Sequence, residues 1–336
     1  MKGAIFRGVR KVSVEELPDA TIEPGGILVK VKACGICGSD LHPYRLGEGQ
    51  GIVRGHEFSG DVAAVGEGVE DIKVGDRVAA VGYRPCGECY WCQQGFPHRC
   101  SSMSLLGEHF HGAMADLVLV PNARLNNNVY RLPDDLSYEE AATIEPIAVG
   151  TFSVRRAKVQ PENTAAVIGV GVIGLGIVQI LKAWGISRVL VSGRRESRLK
   201  TVKECGADLV IDAAEQEPVK AIYEATDGIG VDVVFDCAGT PETFQQSLEM
   251  ARGGGKIILV ALYEKPITWD PYITQKKNLT VIGILGGHFP SAMDLLFSGK
   301  VKAKPLVTHA FPLEDAQKAF ETQEYDRGAI KVMITP

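Results

Sequence analysis

The amino-acid sequence predicts an α/β fold in which a doubly wound parallel sheet is joined to a second, mostly β domain. With 336 residues, the chain exceeds the roughly 250–300 residues at which one hydrophobic core stops growing, so two domains are expected. In the first half, apolar and polar positions alternate in short stretches between Gly and Pro turns, as they do in strands. From about Pro161, an apolar strand, a glycine turn and an amphipathic helix follow one another several times, which is typical of a parallel α/β sheet.

The individual elements follow from the same patterns. In the first half, clear strands lie at residues 27–31 and 61–65. Six parallel strands are predicted in the second half, at residues 165–168, 189–192, 209–211, 231–235, 256–260 and 279–283. Helices are predicted at 172–184, 241–250, 291–297 and 313–321. The last two do not extend the alternating pattern, so the tail is expected to return to the first domain. The predicted domains are residues 1–150 with 285–336, and residues 151–284.

Charge and hydropathy restrict the partners. A formal net charge of −5 gives no positive field that would attract nucleic acid or an anionic membrane surface. The most apolar segment, residues 165–181, is shorter than the ~20 residues of a membrane span and is interrupted by glycines. Residues 1–7 lack the apolar run of a signal peptide. We therefore expect a cytoplasmic protein with a small-molecule substrate, and neither nucleic acid nor membrane as a partner.

A compact group of cysteines predicts a structural metal site. The spacing C-x2-C-x2-C-x7-C places four thiols within fifteen positions, at Cys86, Cys89, Cys92 and Cys100. Four soft thiolates select zinc in tetrahedral geometry and leave no open position for chemistry. Disulfides are disfavoured in a reducing compartment. A zinc module for nucleic acid is also disfavoured, because only Arg84 and Arg99 are cationic nearby.

A second set of residues combines sulfur, nitrogen and oxygen ligands. Cys37 lies in Cys-Gly-Ser-Asp, His56 and Glu57 are adjacent, and Glu145 follows much later. A catalytic zinc keeps three protein ligands and one open position, where it lowers the pKa of a bound oxygen to about 7. This set therefore predicts a catalytic zinc and, with the four-cysteine group, two zinc ions per chain.

A glycine-rich turn predicts a dinucleotide site. Gly169, Gly171 and Gly174 follow a predicted strand and open a predicted helix, whose first residues are Val172 and Ile173. The first glycine allows the tight turn, the second lets the backbone approach a pyrophosphate, and the third lets helix and strand pack closely. The helix N-terminus supplies the positive end of a dipole.

The end of the next strand bears on which dinucleotide binds. Gly193 occupies the position where NAD-dependent enzymes place an acidic residue, which would repel a 2′-phosphate. Arginines can bind that phosphate through charge-assisted contacts. NADP(H) is therefore preferred, with Ser192 and Arg194 as the phosphate pair and with Arg195 and Arg198 nearby. NAD(H) stays possible, because Glu196 could still reach the ribose. Val260 and Ala261 are further cofactor candidates, since they follow another strand at the same edge of the sheet.

These motifs together resemble those of the zinc-containing medium-chain alcohol and polyol dehydrogenases of the sorbitol, threonine and butanediol type. The likeness covers nearly the whole chain and is carried by Cys37-Gly-Ser-Asp, Gly55-His-Glu, the four cysteines, Val74-Gly-Asp-Arg-Val78, Glu145-Pro146, Lys304-Pro-Leu-Val-Thr-His309 and Phe311-Pro-Leu-Glu314. The resemblance implies a Rossmann domain, a GroES-like catalytic domain and a homotetramer or homodimer. It also implies hydride transfer between a secondary alcohol or polyol and the dinucleotide, which gives a ketone.

The resemblance also assigns roles to residues. Cys37 and His56 would hold the catalytic zinc, Glu57 would bind it directly or through water, and Glu145 would complete the site. Ser39 would take the alcohol proton and His42 would pass it to solvent. In the alternative interpretation, Ser39 only caps the following turn and His42 only faces water.

Some residues depart from the sorbitol-type pattern. Pro43 precedes Tyr44 where an aromatic residue is expected, and Gly286-Gly287-His288 replaces an arginine and a tyrosine. His109 and His111 could suggest a further metal pair, although loop histidines are favoured. Cys34, Cys205 and Cys237 are expected to pack rather than bind metal. An NAD-dependent threonine- or butanediol-type dehydrogenase and a non-catalytic dinucleotide-binding regulatory protein are the alternative functions.

Overall fold

The computed structural model describes residues 1–95 and 99–336. It forms two compact units, Met1–Ile144 with Val307–Pro336, and Glu145–Leu306. The boundaries differ from the predicted ones at 150 and 285. The segment before Val307 belongs to the second unit, because the His288 amide donates to the Ala148 carbonyl at 2.9 Å and the Lys302 amide donates to the Gln179 side chain at 2.8 Å.

The described strands are β1 Lys2–Gly8, β2 Lys11–Glu16, β3 Ile27–Gly35, β4 Glu57–Val65, β5 Arg77–Ala80, β6 Tyr83–Arg84, β7 Ser104–Leu105, β8 Leu117–Val120, β9 Val129–Arg131, β10 Thr164–Ile168, β11 Arg188–Gly193, β12 Leu209–Asp212, β13 Val231–Asp236, β14 Ala251–Leu259, β15 Thr280–Gly283, β16 Val307–Pro312 and β17 Lys331–Thr335. The described α-helices are α1 Gly38–Leu46, α2 Tyr90–Gln93, α3 Tyr138–Ala142, α4 Ile144–Ala157, α5 Val172–Ala183, α6 Glu196–Glu204, α7 Pro218–Ala225, α8 Pro241–Met250, α9 Pro271–Lys276, α10 Phe289–Phe297 and α11 Ala316–Tyr325.

The first unit is built on a mostly antiparallel seven-stranded sheet. Its order is β16-β17-β3-β4-β5-β9, and β8 also pairs with β3. The strand β3 therefore lies between the C-terminal β17 and β4, and its inward positions are almost fully buried. Phe6, Tyr44 and Phe320 pack with ring centroids 5.1–5.9 Å apart, so helices α1 and α11 share one core.

The second unit contains the predicted six-stranded parallel sheet, and the predicted fold class is confirmed. The order β12-β11-β10-β13-β14-β15 reverses direction between β10 and β13. At such a reversal, ligands bind outside the carboxyl ends of the strands. Helix α8 has the predicted bounds, because Thr240 caps its amides and Pro241 suits the first helical position. In the described parts of the chain, no helix has the length and apolar content needed to cross a membrane.

The C-terminal strand β17 is absent from the sequence prediction. It pairs in parallel with β16 and antiparallel with β3, through Met333 opposite Gly35 and Ile334 opposite Cys34. Its five residues begin with a lysine and lack period-two alternation, since four of them are buried. Short buried strands at chain ends give little local signal, because long-range pairing fixes them.

Candidate metal centres and dinucleotide-binding loop

The predicted catalytic-zinc residues Cys37, His56 and Glu57 lie together in the first unit. Cys37 follows β3 and is the N-cap residue of α1, whereas His56 and Glu57 stand at the start of β4. Strands β3 and β4 pair antiparallel with Gly35 opposite Glu57, which brings the two segments side by side. The ligand atoms of the three residues lie within 4.8 Å of one another. One sulfur, one nitrogen and one oxygen ligand fit a zinc ion that keeps a position open. Glu145 belongs to the second unit, and its role stays a prediction.

A buried ion pair joins the two segments that carry these ligands. Asp40 accepts a hydrogen bond from the Cys37 amide at 3.0 Å, while its other oxygen accepts from Arg54 Nε at 3.2 Å. Arg54 also donates to the Ser39 carbonyl at 3.2 Å. Both side chains are buried, so the contact is shielded from water. Sequence reasoning assigned no role to Asp40 or Arg54, although an acidic residue three positions after an N-cap is a recognisable capping signal.

A second buried ion pair contacts the metal centre from the C-terminus of the chain. Lys331 Nζ lies 2.5 Å from Glu57 Oε2 and 2.9 Å from the Ile36 carbonyl oxygen. The side chains of Lys331 and Glu57 are 3% and 1% exposed. A Cβ at Gly35 would lie 2.4 Å from Glu57 Oε2 and 3.2 Å from Lys331 Cδ, so the pair occupies the space that a side chain on β3 would need.

The proposed relay residues lie on helix α1. Ser39 is the second residue of the helix and is half-buried, and His42 is exposed. Because they are three positions apart, they are neighbours on one side of the helix. The N-cap is Cys37, so the interpretation of Ser39 as a capping residue is wrong.

The four cysteines also lie together. Their sulfur atoms are within 4.8 Å of one another, and the contacts Cys86–Cys100 and Cys89–Cys92 measure 3.5 and 3.6 Å. Sulfurs that are 2.3 Å from a tetrahedral zinc are about 3.8 Å apart, whereas a disulfide would bring them to about 2.05 Å. The group therefore fits a closed zinc site.

The glycine turn of the second unit has the geometry that the sequence predicts. Gly169 has φ +104°, and a Cβ there would lie 3.0 Å from the backbone of Cys237. A Cβ at Gly174 would lie 2.1 Å from the Gly169 oxygen, so a larger residue would separate helix α5 from the turn. Gly171 is the N-cap of α5, with open space beside it. Val172 and Ile173 form the first turn of that helix, whose amides suit a phosphate.

Comparisons with known proteins identify the family of the chain. Residues 172–298 match the family model of the zinc-binding dehydrogenase domain, and residues 23–134 match that of the alcohol dehydrogenase GroES-like domain. The chain is 37% identical to sorbitol dehydrogenase of Bacillus subtilis (strain 168), over 100% of this chain and 97% of that protein. It is also 37% identical to L-threonine 3-dehydrogenase of the same organism, over 96% and 94%.

Solved structures show the same relationship. An alcohol dehydrogenase from E. coli CFT073, complexed with NADH, superposes with a TM-score of 0.91 at 32% identity and covers 100% of this chain and 99% of its own. A zinc-binding dehydrogenase from Sinorhizobium meliloti 1021, bound to NADP, gives 0.91 at 30% identity with the same coverage. The chain belongs to the zinc-containing medium-chain alcohol and polyol dehydrogenases. It is an alcohol oxidoreductase with a Rossmann sheet and a GroES-like domain.

The segment that the sequence predicts to select the cofactor ends strand β11. A Cβ at Gly193 would lie 2.7 Å from both methyl carbons of Val170, so Val170 occupies the space of a side chain there. Ser192 is buried, and its carbonyl accepts from the Gly169 amide at 2.9 Å. Arg194 is exposed and forms an ion pair with Glu242 at 2.6 Å.

The neighbouring charged residues lie at the start of helix α6. Arg195 is its N-cap, and Arg198 is in its first turn. Glu196, the alternative ribose ligand, lies 3.7 Å from Lys200 one turn along the same helix. The carboxylate of Glu196 is thus oriented along an exposed helix surface.

Val260 and Ala261 follow β14, and sequence reasoning missed their buried neighbour Asp236. The amides of both residues donate to the Asp236 carbonyl at 3.0–3.1 Å. The Asp236 carboxylate accepts from the Tyr263 hydroxyl at 2.6 Å and from the Thr243 hydroxyl at 3.0 Å. Asp236 therefore fixes the strand ends around Val260, and an acidic residue ending a buried strand could have indicated this.

The departures from the sorbitol-type pattern have structural reasons. Pro43 and Tyr44 are buried, and the Tyr44 hydroxyl accepts a hydrogen bond from the Gln317 side-chain amide. Both residues therefore belong to the core of the first unit. A Cβ at Gly287 would lie 2.8 Å from that of Ala148, so the glycine allows close approach to α4. His109 and His111 accept hydrogen bonds from the Leu105 and Val53 amides, both at 3.1 Å. The two histidines therefore support loops.

The three remaining cysteines are packing residues. Burial raises the pKa of Cys34 and Cys237 well above 9 and raises the pKa of Cys205 to about 12. Protonated thiols are poor metal ligands. None of the three belongs to either cysteine-containing metal group found among residues 1–95 and 99–336.

Proposed function

We propose that this dehydrogenase transfers a hydride between a secondary alcohol or polyol and NADP(H), giving a ketone. The observation that carries the proposal is the cluster of Cys37, His56 and Glu57, with three different ligand atoms within 4.8 Å. Zinc bound there supplies a Lewis acid that lowers the pKa of an alcohol oxygen. The four cysteines hold a second, structural zinc, and Glu145 is proposed to complete the catalytic site.

The proton route is proposed to run through helix α1. The half-buried Ser39 hydroxyl accepts the alcohol proton as it gives up its own, and the exposed His42 imidazole passes that proton to solvent. The one-turn spacing of the two residues and the gradient from half-buried to exposed support this direction of transfer.

The NADP(H) preference is supported by the packing around Gly193. Because Val170 fills the space of a side chain at this position, the carboxylate that NAD-dependent enzymes use cannot be added without displacing the Val170 side chain. Arg194, Arg195 and Arg198 offer cationic donors for a 2′-phosphate at the start of α6. Solved relatives hold NADH or NADP, so the family alone leaves the choice to local residues.

A kinetic comparison tests the activity and the cofactor together. The catalytic efficiency, kcat/KM, is measured with NADP⁺ and NAD⁺ over secondary alcohols, polyols, sugar phosphates, vicinal diols and threonine, and with NADPH over the matching ketones. We expect ketone formation from a secondary alcohol and a higher kcat/KM with NADP⁺. A clear preference for NAD⁺ contradicts the cofactor proposal, and inactivity of the zinc-loaded enzyme on all substrates contradicts the proposed activity.

Zinc analysis tests the metal part separately. We expect two zinc ions per chain and loss of activity when a chelator removes the more labile one. One zinc per chain, or full activity after that removal, contradicts the assignment. The cytoplasmic location and the homotetramer or homodimer stay predictions, which fractionation and sedimentation measure.

A further inference from the structure

We infer that Lys331 is a positioning residue of the catalytic metal centre, which it reaches through Glu57. The inference rests on the proposed zinc site and adds a residue from the last strand of the chain. Lys331 contacts Glu57 Oε2 at 2.5 Å, and both side chains are almost completely buried. A carboxylate with one oxygen fixed by an ammonium group presents its other oxygen in a defined direction.

The position of Lys331 depends on three adjacent strands. Glu57 begins β4, Gly35 ends β3 and Lys331 begins β17, so the pair spans β3 at its only glycine. The Ile36 carbonyl, one residue before the ligand Cys37, accepts a second hydrogen bond from Lys331 at 2.9 Å. One ammonium group thereby fixes the carboxylate of Glu57 and the backbone that leads to Cys37.

Electrostatics gives this contact a functional consequence. A thiolate and a carboxylate together cancel the two positive charges of zinc, which weakens its action as a Lewis acid. The Lys331 ammonium balances the Glu57 carboxylate, so the centre keeps positive charge for a bound oxygen. In a buried environment such a contribution is weakly screened. Partners that orient metal ligands commonly change metal affinity or activity by about 10- to 100-fold when they are removed.

The test measures metal binding without substrate or cofactor. In Lys331→Met, we expect zinc affinity at the Cys37–His56–Glu57 site to fall about 10- to 100-fold, because losing the fixed orientation of Glu57 outweighs removing a like charge; competition with a chromophoric chelator measures the fall. Affinity at the four-cysteine site should not change. The absorption bands of cobalt(II) substituted at the first site should shift, because the ligand field changes. Lys2→Met is the matched control, since it removes an exposed lysine–glutamate pair from the same unit.

A double-mutant cycle separates positioning from general stability. If Lys331 acts through Glu57, then Lys331→Met has no further effect on zinc affinity in a Glu57→Gln background. Additive losses overturn the inference, as do a wild-type affinity and cobalt spectrum in folded Lys331→Met. If Lys331→Met does not fold, Gly35→Ala replaces it, because it keeps both charges but places a Cβ 2.4 Å from Glu57 Oε2. That variant should shift the cobalt spectrum, and an unchanged spectrum overturns the inference.

The same measurements keep this inference apart from the proposed function. If the wild-type protein binds no zinc at Cys37, His56 and Glu57, the proposed function itself fails. If the wild type binds zinc there and the variants bind it equally well, only the role of Lys331 fails.

Discussion

At the scale of single residues, the proposed NADP(H) preference depends on Arg194. Arg194→Ala should lower kcat/KM with NADP⁺ about 10- to 100-fold, because a charge-assisted hydrogen bond contributes roughly 1.5–3 kcal/mol. The value with NAD⁺ should stay within about twofold, since NAD⁺ has no 2′-phosphate. Steady-state kinetics with both cofactors measures the difference.

Arg188→Ala is the control for this prediction, because Arg188 is an exposed arginine at the other end of β11. Its kinetics should match the wild type. Glu242→Gln should lower the KM for NADP⁺ by a small factor, since an exposed ion pair contributes only about 0.2–1 kcal/mol. Equal losses with both cofactors in Arg194→Ala would show that the arginine has a structural role instead.

The relay residues are also tested at this scale. Ser39→Ala should lower kcat by about 10²- to 10⁴-fold, the usual contribution of a positioned proton acceptor. His42→Ala should cause a smaller loss that shrinks at high pH, where solvent accepts the proton more readily. The measurement is kcat against pH, with the exposed Leu46→Ala on the same helix as the control. A pH-independent loss in His42→Ala rules out the proposed transfer to solvent.

How far the sequence predicts a residue's role depends on where its partners lie. The four cysteines and the glycine turn are predictable, since all their members are close in sequence. The sequence shows that Gly193 replaces the acidic residue of NAD-dependent enzymes, but the closeness of Val170 to this position can be seen only in the folded loop. Lys331 is missed because its partner lies 274 positions away and no local pattern records that distance.

At the scale of elements, Arg77 on β5 explains the Val74-Gly-Asp-Arg-Val78 motif. Its guanidinium donates to the Tyr138 hydroxyl and to the carbonyls of Pro133, Asp134 and Leu136 at 2.6–3.2 Å. The arginine thus connects the loop before α3 to the seven-stranded sheet of the first unit.

Arg77→Ala should lower the free energy of unfolding by roughly 2–4 kcal/mol, because several backbone carbonyls lose a charged donor. Chemical denaturation measures the loss. Arg131→Ala removes a more exposed arginine and should cost about 1 kcal/mol or less. Equal costs for the two variants would contradict the anchoring role of Arg77.

The four-cysteine segment is expected to depend on a bound zinc for its stability. Helix α2 has only four residues and none is buried, so little apolar packing stabilises it. Cys92→Ser should remove one zinc per chain and make this segment the first site of proteolysis, while the Cys37 site stays loaded. Metal analysis and limited proteolysis measure both effects. Unchanged zinc content contradicts the assignment of Cys92 as a ligand.

Elements are predicted well where the pattern is local. Helix α8 is predicted to the residue, since Thr240, Pro241 and the apolar spacing all lie within it. Strand β17 is not predicted, because its five mostly buried residues show no alternation of apolar and polar positions. Its pairing with β3 is visible only in the folded chain. The domain boundary lies at Val307 instead of the predicted residue 285 for a similar reason. Helix α10 belongs to the second unit through contacts with residues that are distant in sequence.

For the whole molecule, the raised pKa values of two thiols, Cys205 and Cys237, predict a loss of stability at alkaline pH. Burial raises the pKa of Cys205 from 9.0 to about 12 and raises that of Cys237 well above 9.0. The stability that depends on protonated thiols is fully present below pH 9, where the unfolded thiols are protonated too. It is lost as pH rises from 9 towards 12, because the unfolded chain then ionises more readily.

The decline is measured as the denaturation midpoint of the zinc-loaded enzyme at pH values from about 8 to about 11. This range begins below the pKa of an unfolded thiol and ends below that of folded Cys205. We expect the midpoint to fall above pH 9 and to fall less steeply in Cys205→Ala/Cys237→Ala. An equally steep decline in that variant would assign the alkaline loss to other groups.

The position of β17 in the first sheet also orders the events of synthesis. The second unit, Glu145–Leu306, is continuous in sequence and is synthesised whole before residues 307–336. It can fold at once, as domains generally do during translation. The first unit has to wait until β16 and β17 are synthesised, because the Cys34–Gly35 end of β3 pairs with β17. The sheet that carries Cys37, His56 and Glu57 is therefore completed only after the second unit has been synthesised.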